Sequence, residues 1–281
     1  MNSCLAFIIS PLLLLTGCVT SPNSIWNESQ IEGSWYVPKE NEDEIYDLTF
    51  DFDSNYSLFL GPYGNFGKYE LATDSLIVES VSDAKFVFQI EEITDSKLVL
   101  KYISGGETNP SFEDYFESNN RLILKKITEK NDLIVNRITF SSSVCFGTCP
   151  SQAIEIDSVG SINYIGGAYS EFEGAGFGHL PEEILKSILR SVNSLDISAI
   201  KEYYESPWTD DASYYLKLEL QNKNQPIELE SYGFGETPSE LALLLFKLMK
   251  ITQVVSLKHT SLDSLNLHDK NLSEKVFFEE F

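Results

Sequence analysis

The chain is poor in basic residues and in histidine. Lys and Arg together number 20 against 43 Asp and Glu, which leaves a net charge of −23. An acidic surplus of this size repels phosphate backbones, so nucleic acid is not expected as a partner. The three histidines, His179, His259 and His268, form no H-x-E or H-E-x-x-H cluster. The sequence therefore predicts no zinc chemistry and no metal site.

Motifs of catalysis are also lacking. The sequence contains neither a G-x-S-x-G nucleophile elbow nor a Walker phosphate loop. Asp210 and Asp211 are neighbouring carboxylates, but they directly precede a predicted strand, and a solvated loop explains them better. We therefore predict no catalytic residue and no cofactor, and we favour a non-enzymatic protein.

The first seventeen residues contain the most pronounced apolar run, Leu5 to Leu15. This run is too short for a membrane-spanning helix, which needs about 20 residues, but it has the length of a signal-peptide core. Directly after it, Leu15-Thr16-Gly17-Cys18 resembles the bacterial lipobox. The resemblance implies a cleaved lipoprotein signal peptide over residues 1–17 and a lipidated Cys18, although no Lys or Arg precedes the apolar run.

The residues after Cys18 predict where the anchored protein resides. Val19 stands where an Asp typically retains lipoproteins in the inner membrane, so the resemblance implies the outer membrane. No acidic cluster of the kind linked to surface export follows Cys18, which favours a periplasm-facing position in the cell envelope. Residues 18–29 then serve as the lipidated cysteine and a tether, and the membrane is a partner through the acyl chains.

Residues 30–128 read as a series of short strands separated by polar turns, which is typical of a small antiparallel barrel or sandwich. In one of them Leu48, Phe50 and Phe52 alternate with Thr49 and Asp51, the period of a half-buried strand. The opening Ile31-Glu32-Gly33-Ser34-Trp35, followed by this meander, resembles the small lipocalin-like domains of secreted bacterial proteins. The resemblance implies that Trp35 packs across the end of the barrel and that the barrel could hold an apolar small molecule.

Residues 133–255 predict an α+β domain with an antiparallel sheet and about three helices. Short strands separated by glycines come first, and an amphipathic helix over 181–195 and a second helical stretch over Ile197 to Tyr204 follow. Two more strands then precede a helix that begins with a capping box at Thr237-Pro238-Ser239-Glu240. The run Cys145-Phe146-Gly147-Thr148-Cys149-Pro150 resembles an uncharacterised domain of many bacterial lipoproteins that bears a C-x-G-x-C-P signature. That family has no established activity. Residues 256–281 are predicted only as a C-terminal tail.

The cysteines fit an extracytoplasmic protein. Cys4 would leave with the signal peptide and Cys18 would be acylated, so Cys145 and Cys149 remain as a close pair and predict a disulfide. The sequence thus indicates a membrane-anchored lipoprotein that binds an apolar small molecule or an envelope protein without catalysis. The alternative is a thiol-redox or copper-handling protein that uses Cys145 and Cys149, with His179 as a distant candidate ligand.

Overall fold

A computed structural model of the chain describes residues 25–38, 48–53, 57–61, 65–80, 85–105, 119–221 and 223–276. The described residues form two β-sheets and three α-helices, of which the first, α1 (Glu28–Ile31), is a single turn. The predicted fold class, a barrel followed by an α+β unit, is confirmed. None of the helices in the described part of the chain is long and apolar enough to cross a membrane.

The first sheet is an antiparallel meander in which each described strand pairs with the next one along the chain. The strands are β1 (Gly33–Tyr36), β2 (Thr49–Asp53), β3 (Ser57–Gly61), β4 (Phe66–Ala72), β5 (Ser75–Ser80), β6 (Lys85–Ile93), β7 (Lys97–Gly105) and β8 (Arg121–Lys126). Pairing of β1 with β8 closes the sheet into a barrel.

Large apolar side chains fill the inside of the barrel. Trp35 has no exposed surface, and its indole N–H donates a hydrogen bond of 2.7 Å to the carbonyl oxygen of Ile31, so the buried donor is satisfied. The rings of Phe50 and Phe52 lie 5.7 Å apart along β2, and Phe52 meets Tyr69 edge-on at 5.1 Å. Trp35 is therefore part of the barrel core, as the lipocalin-like resemblance implies.

The second sheet has eight described strands in the order β13-β15-β14-β9-β10-β11-β12-β16. Their bounds are β9 (Val135–Ser142), β10 (Gln152–Asp157), β11 (Ser161–Gly166), β12 (Gly174–His179), β13 (Tyr203–Glu205), β14 (Ser213–Leu220), β15 (Ile227–Tyr232) and β16 (Lys258–Thr260). Neighbouring strands are antiparallel except β13 and β15, which are parallel.

Two helices cover one face of the second sheet. The helix α2 (Glu182–Ser194) buries Ile184, Ile188 and Val192, which recur every four residues and so share one side of the helix. The helix α3 (Ser239–Met249) is buried over almost its whole length, because it packs against α2, β9 and the barrel strand β3.

The other face of the second sheet is only partly covered. Residues 258–276, which the sequence predicts only as part of a tail, add β16 to the sheet edge and then cross over β9 to β12. The carboxylate of Glu155 accepts hydrogen bonds from the backbone N–H groups of His268 and Asp269 at 2.9 and 2.7 Å. An apolar cluster completes the contact: Ala153, Ile165, Ala175, Leu265, Leu267, Leu272 and Val276. The half of this face that β13, β14 and β15 form remains largely open.

Two local predictions are wrong. Residues 197–204 contain no helix; Ile197, Ile200 and Tyr204 have helix-like spacing because all three pack against the same core. The capping box before α3 does not form either, since the hydroxyl of Thr237 lies 3.0 Å from that of Ser231 and Pro238 occupies the N-cap position without a side-chain cap.

The two sheets meet across a buried junction. Every residue of β2 is buried, although its alternating pattern predicts a half-buried strand, because α2 packs on its outer side. Phe66 of β4 joins the core of the second sheet, and its backbone N–H donates to the side-chain oxygen of Gln253 at 3.1 Å. Gln253 also donates to Asn65 at 2.7 Å, so the junction contains polar as well as apolar contacts.

Candidate functional site

A disulfide between Cys145 and Cys149 closes the loop that joins β9 to β10. The two Cα atoms lie 5.4 Å apart, which four residues of extended chain could not achieve, so the loop curls. The N–H of Gly147 donates to the carbonyl of Cys145 at 2.8 Å within this turn. The disulfide is as the sequence predicts.

The disulfide loop displays an exposed aromatic residue beside a second loop that does the same. Phe146 is 89% exposed and Trp208 is 70% exposed. The N–H of Phe146 donates to the carbonyl of Asp210 at 3.3 Å, so the two loops touch. We call Phe146 and Trp208 the aromatic tip. Asp210 is exposed, and the carboxylate of Asp211 accepts a hydrogen bond from the N–H of Ala212 at 2.9 Å.

The open half of the second sheet carries alternating carboxylates and tyrosines. Its side chains share one face because they come from every second residue of paired strands: Tyr215 lies opposite Glu230, and Tyr203 is opposite Glu230 on its other side. We define the acidic–tyrosine face by six residues: Tyr203, Tyr215, Glu228, Glu230 and Tyr232 on the strands, and Glu202, which directly precedes β13 and lines a cleft on this face.

Three adjoining clefts run along this face. The first, of about 570 Å³, lies among Glu202, Tyr215 and Glu230. The second, of about 350 Å³, shares Tyr215 and Glu230 with it and extends to Tyr232. The third, of about 730 Å³, shares Tyr232 and ends at Trp208. The clefts therefore connect the acidic–tyrosine face with the aromatic tip.

Two cations already lie on the acidic–tyrosine face: Lys217, which is opposite Glu228, and Lys275, which lies over Tyr215. The ammonium of Lys275, in the C-terminal segment, lies 3.7 Å above the centre of the Tyr215 ring, within the range of cation–π attraction. Burial raises the pKa of Tyr215, and the negative charges of Glu228 and Asp269 add to that shift, because a phenolate would repel them. Tyr215 therefore stays neutral and presents its ring to a cation.

A buried cluster of charges joins the barrel to the helices. Asp51 on β2 accepts hydrogen bonds from the ammonium of Lys247 and, at 2.5 Å, from the hydroxyl of Ser187. Arg190 on α2 forms an ion pair with Asp53. Burial alone would raise the pKa of Asp51, but the positive charges of Lys247 and Arg190 outweigh it and hold that pKa below its ordinary value. Burial lowers the pKa of Lys247 to about 8, against the opposing effect of Asp51.

The histidines are dispersed. His179 pairs with Ser161 at the end of β11 remote from the disulfide loop, so the structure does not bring it to the cysteines. The ring of His259 stacks on Phe172 at 4.1 Å, and Nδ1 of His268 lies 3.5 Å from Glu219. Within the described ranges no three His, Cys, Asp or Glu side chains are placed to hold a metal ion.

Two predicted features remain untested by this geometry. Cys18, with the signal peptide before it, lies outside the described residues. The apolar ligand of the barrel also stays a prediction; the interior side chains, such as Phe50 and Phe88 with ring centres 6.1 Å apart, contact one another.

The geometry defines a two-part protein: a β barrel packed through a buried ionic junction on an α+β domain with a clamped aromatic loop and an acidic sheet face. Residues 136–252 match the model of a domain of unknown function, DUF6438, so the α+β part contains a DUF6438 domain. No curated protein and no solved structure matches the chain.

Sequence reasoning missed the buried charges and the acidic–tyrosine face. Lys247 interrupts an otherwise apolar helix sequence, Leu241 to Met249, and a lone lysine in such a run signals a buried charge that needs a partner. The partner, Asp51, is distant in sequence and has no comparable signal. The acidic–tyrosine face depends on the pairing of β13 with β15, in a segment that was predicted as helical.

Proposed function

We propose that the protein is a lipid-anchored, extracytoplasmic binding protein of the cell envelope, held at the outer membrane through Cys18 and acting without catalysis. The observation that carries the proposal is the aromatic tip, where a disulfide fixes a loop whose Phe146 is 89% exposed. Aromatic side chains are enriched among the residues that form protein–protein interfaces, and a clamped loop loses less conformational entropy on binding. The disulfide and the lipobox resemblance at Leu15 to Cys18 support an oxidising compartment and a lipid anchor.

Site-specific photo-crosslinking in intact cells tests this proposal. A photoreactive amino acid is placed at Phe146, at Trp208, or at the control position Val159, which is 64% exposed at the turn between β10 and β11. We expect the same discrete adduct from positions 146 and 208 and none from position 159. Absence of adducts at the tip, or an equal adduct at position 159, would overturn the proposal.

A thiol-redox or copper-handling role is the second candidate. It is favoured by the surface position of the disulfide, whose enclosed residues Phe146, Gly147 and Thr148 are all exposed, so a reductant can approach. Thiol titration of the protein across redox potentials, read by intact mass, separates the two roles. A structural disulfide stays oxidised below about −300 mV, whereas reduction near −270 mV or higher favours the redox role and makes copper titration the next step.

A further inference from the structure

We propose that the acidic–tyrosine face binds an extended basic segment of a partner protein, with Lys or Arg side chains placed over its tyrosine rings and between its glutamates. This inference rests on the proposed function, since it names the chemistry of the partner. Three observations on the described residues support it: the uncompensated charge of the face, the ammonium of Lys275 over the Tyr215 ring, and the shape of the clefts.

The face has more carboxylates than its neighbours neutralise. Within the described part of the chain, Glu202 and Glu230 on the face form no ion pair, and neither does Glu205 beside it. Glu228 is 3.7 Å from the ammonium of Lys217, but that same ammonium lies 3.8 Å from Glu219 and is shared. The face therefore keeps a negative potential, and complementary charge favours and steers a basic partner.

Lys275 shows which chemistry the face accepts. Its ammonium lies 3.7 Å from the centre of the Tyr215 ring, and the hydroxyl of Tyr215 donates a hydrogen bond to Glu228 beside it. A ring face flanked by carboxylates stabilises a cation by both the ring quadrupole and the charges. Tyr203, which is 50% exposed, lies across Glu230 from Tyr215 and presents a second ring on the same face.

The clefts have the length of a short extended peptide. The central strand β15 (Ile227–Tyr232) has six residues, which span about 20 Å at the rise of a β-strand. The clefts follow it from Pro226 to Tyr232 and continue to Trp208. A segment of about six residues with alternating basic side chains matches this path, because alternate side chains of an extended segment point to the same face.

Fluorescence anisotropy with a labelled octalysine peptide tests the inference on the full-length protein extracted in detergent. The double variant Glu228→Gln and Glu230→Gln removes two charges from the face while keeping side-chain shape. The control, Glu70→Gln and Glu79→Gln, removes two exposed charges from the barrel. At low salt we expect about tenfold weaker binding for the face variant and little change for the control. Equal affinity of the face variant and the wild type would overturn the inference, as would equal weakening by the control.

A second pair of variants tests for a change of octalysine affinity in the opposite direction. Lys275→Ala removes the cation that occupies Tyr215, whereas Lys258→Ala removes an exposed charge from the far edge strand β16. We expect Lys275→Ala to tighten octalysine binding several-fold more than Lys258→Ala does, and an equal effect of both would contradict the inference. The two proposals can fail separately. If positions 146 and 208 give crosslinks but none of the face variants changes the affinity for octalysine, this inference is wrong and the proposed function stands. Absent crosslinks with intact face-dependent binding would instead overturn the proposed tip.

Discussion

The ammonium of Lys247 on α3 donates a hydrogen bond to the carboxylate of Asp51 on β2, and neither side chain has exposed surface. The two residues lie 196 positions apart, one in the barrel and one in the DUF6438 domain. Lys247 also donates to the hydroxyl of Ser191 at 2.7 Å and to the carbonyl of Ser187 at 3.2 Å, so its three protons all have acceptors. The pair therefore fixes how the helices lie on the barrel.

Loss of one partner of this pair is expected to be costly. Asp51→Asn leaves the Lys247 ammonium buried without a counter-charge, and we expect the free energy of unfolding to fall by about 3–5 kcal/mol. Urea denaturation measures the change. The control is Glu182→Gln, which breaks the exposed pair that Glu182 makes with Lys186 at 2.8 Å and should change stability little. Similar effects of the two substitutions would show that the buried pair has no special role.

Removal of both charges should restore part of the lost stability. The double variant Asp51→Asn and Lys247→Met removes both buried charges of the pair, although Arg190 still faces the site. We expect a smaller loss than for Asp51→Asn alone, so that a double-mutant cycle yields a favourable coupling energy. Additive losses would contradict direct coupling between Asp51 and Lys247.

The pair also predicts an acid dependence of stability. The pKa of Asp51 in the folded chain lies below its ordinary value of about 3.8, so the unfolded chain takes up a proton at this residue first as the pH falls. The stability contributed by Asp51 is thus complete above about pH 4 and is lost at lower pH. As the pH is lowered from 7 to 3, the urea midpoint should fall more steeply for the wild type than for the double variant. Parallel curves would contradict this prediction.

The disulfide should stabilise the fold modestly. Replacing Cys145 and Cys149 by Ser opens a loop of five residues, which costs about 2 kcal/mol in the chain-entropy model. We expect an unchanged far-ultraviolet circular dichroism spectrum and a lower urea midpoint. Collapse of the fold would show that the loop organises the whole sheet, and an unchanged midpoint would leave the disulfide without a structural role.

Local patterns predicted much of this structure because they act between neighbours in sequence. The strand meander, the Cys145–Cys149 disulfide and the two long helices follow from spacing and residue type, and the resemblance to lipocalin-like domains implies the packing of Trp35. The full burial of Asp51 does not, because it depends on α2 packing over β2 from another part of the chain. The same holds for the acidic–tyrosine face, whose outline depends on which half of the sheet residues 258–276 cover.

The intact mass of the protein purified from the membranes of its own cells tests the central claim most directly. If the protein is lipid-anchored and extracytoplasmic, the chain should begin at Cys18 and carry the mass of attached acyl chains. It should also be two mass units lighter than the reduced form because of the disulfide. The Cys18→Ser variant should lack the acyl mass and leave the membrane fraction. A chain that retains residues 1–17, or a Cys18 without acyl groups, would contradict the account.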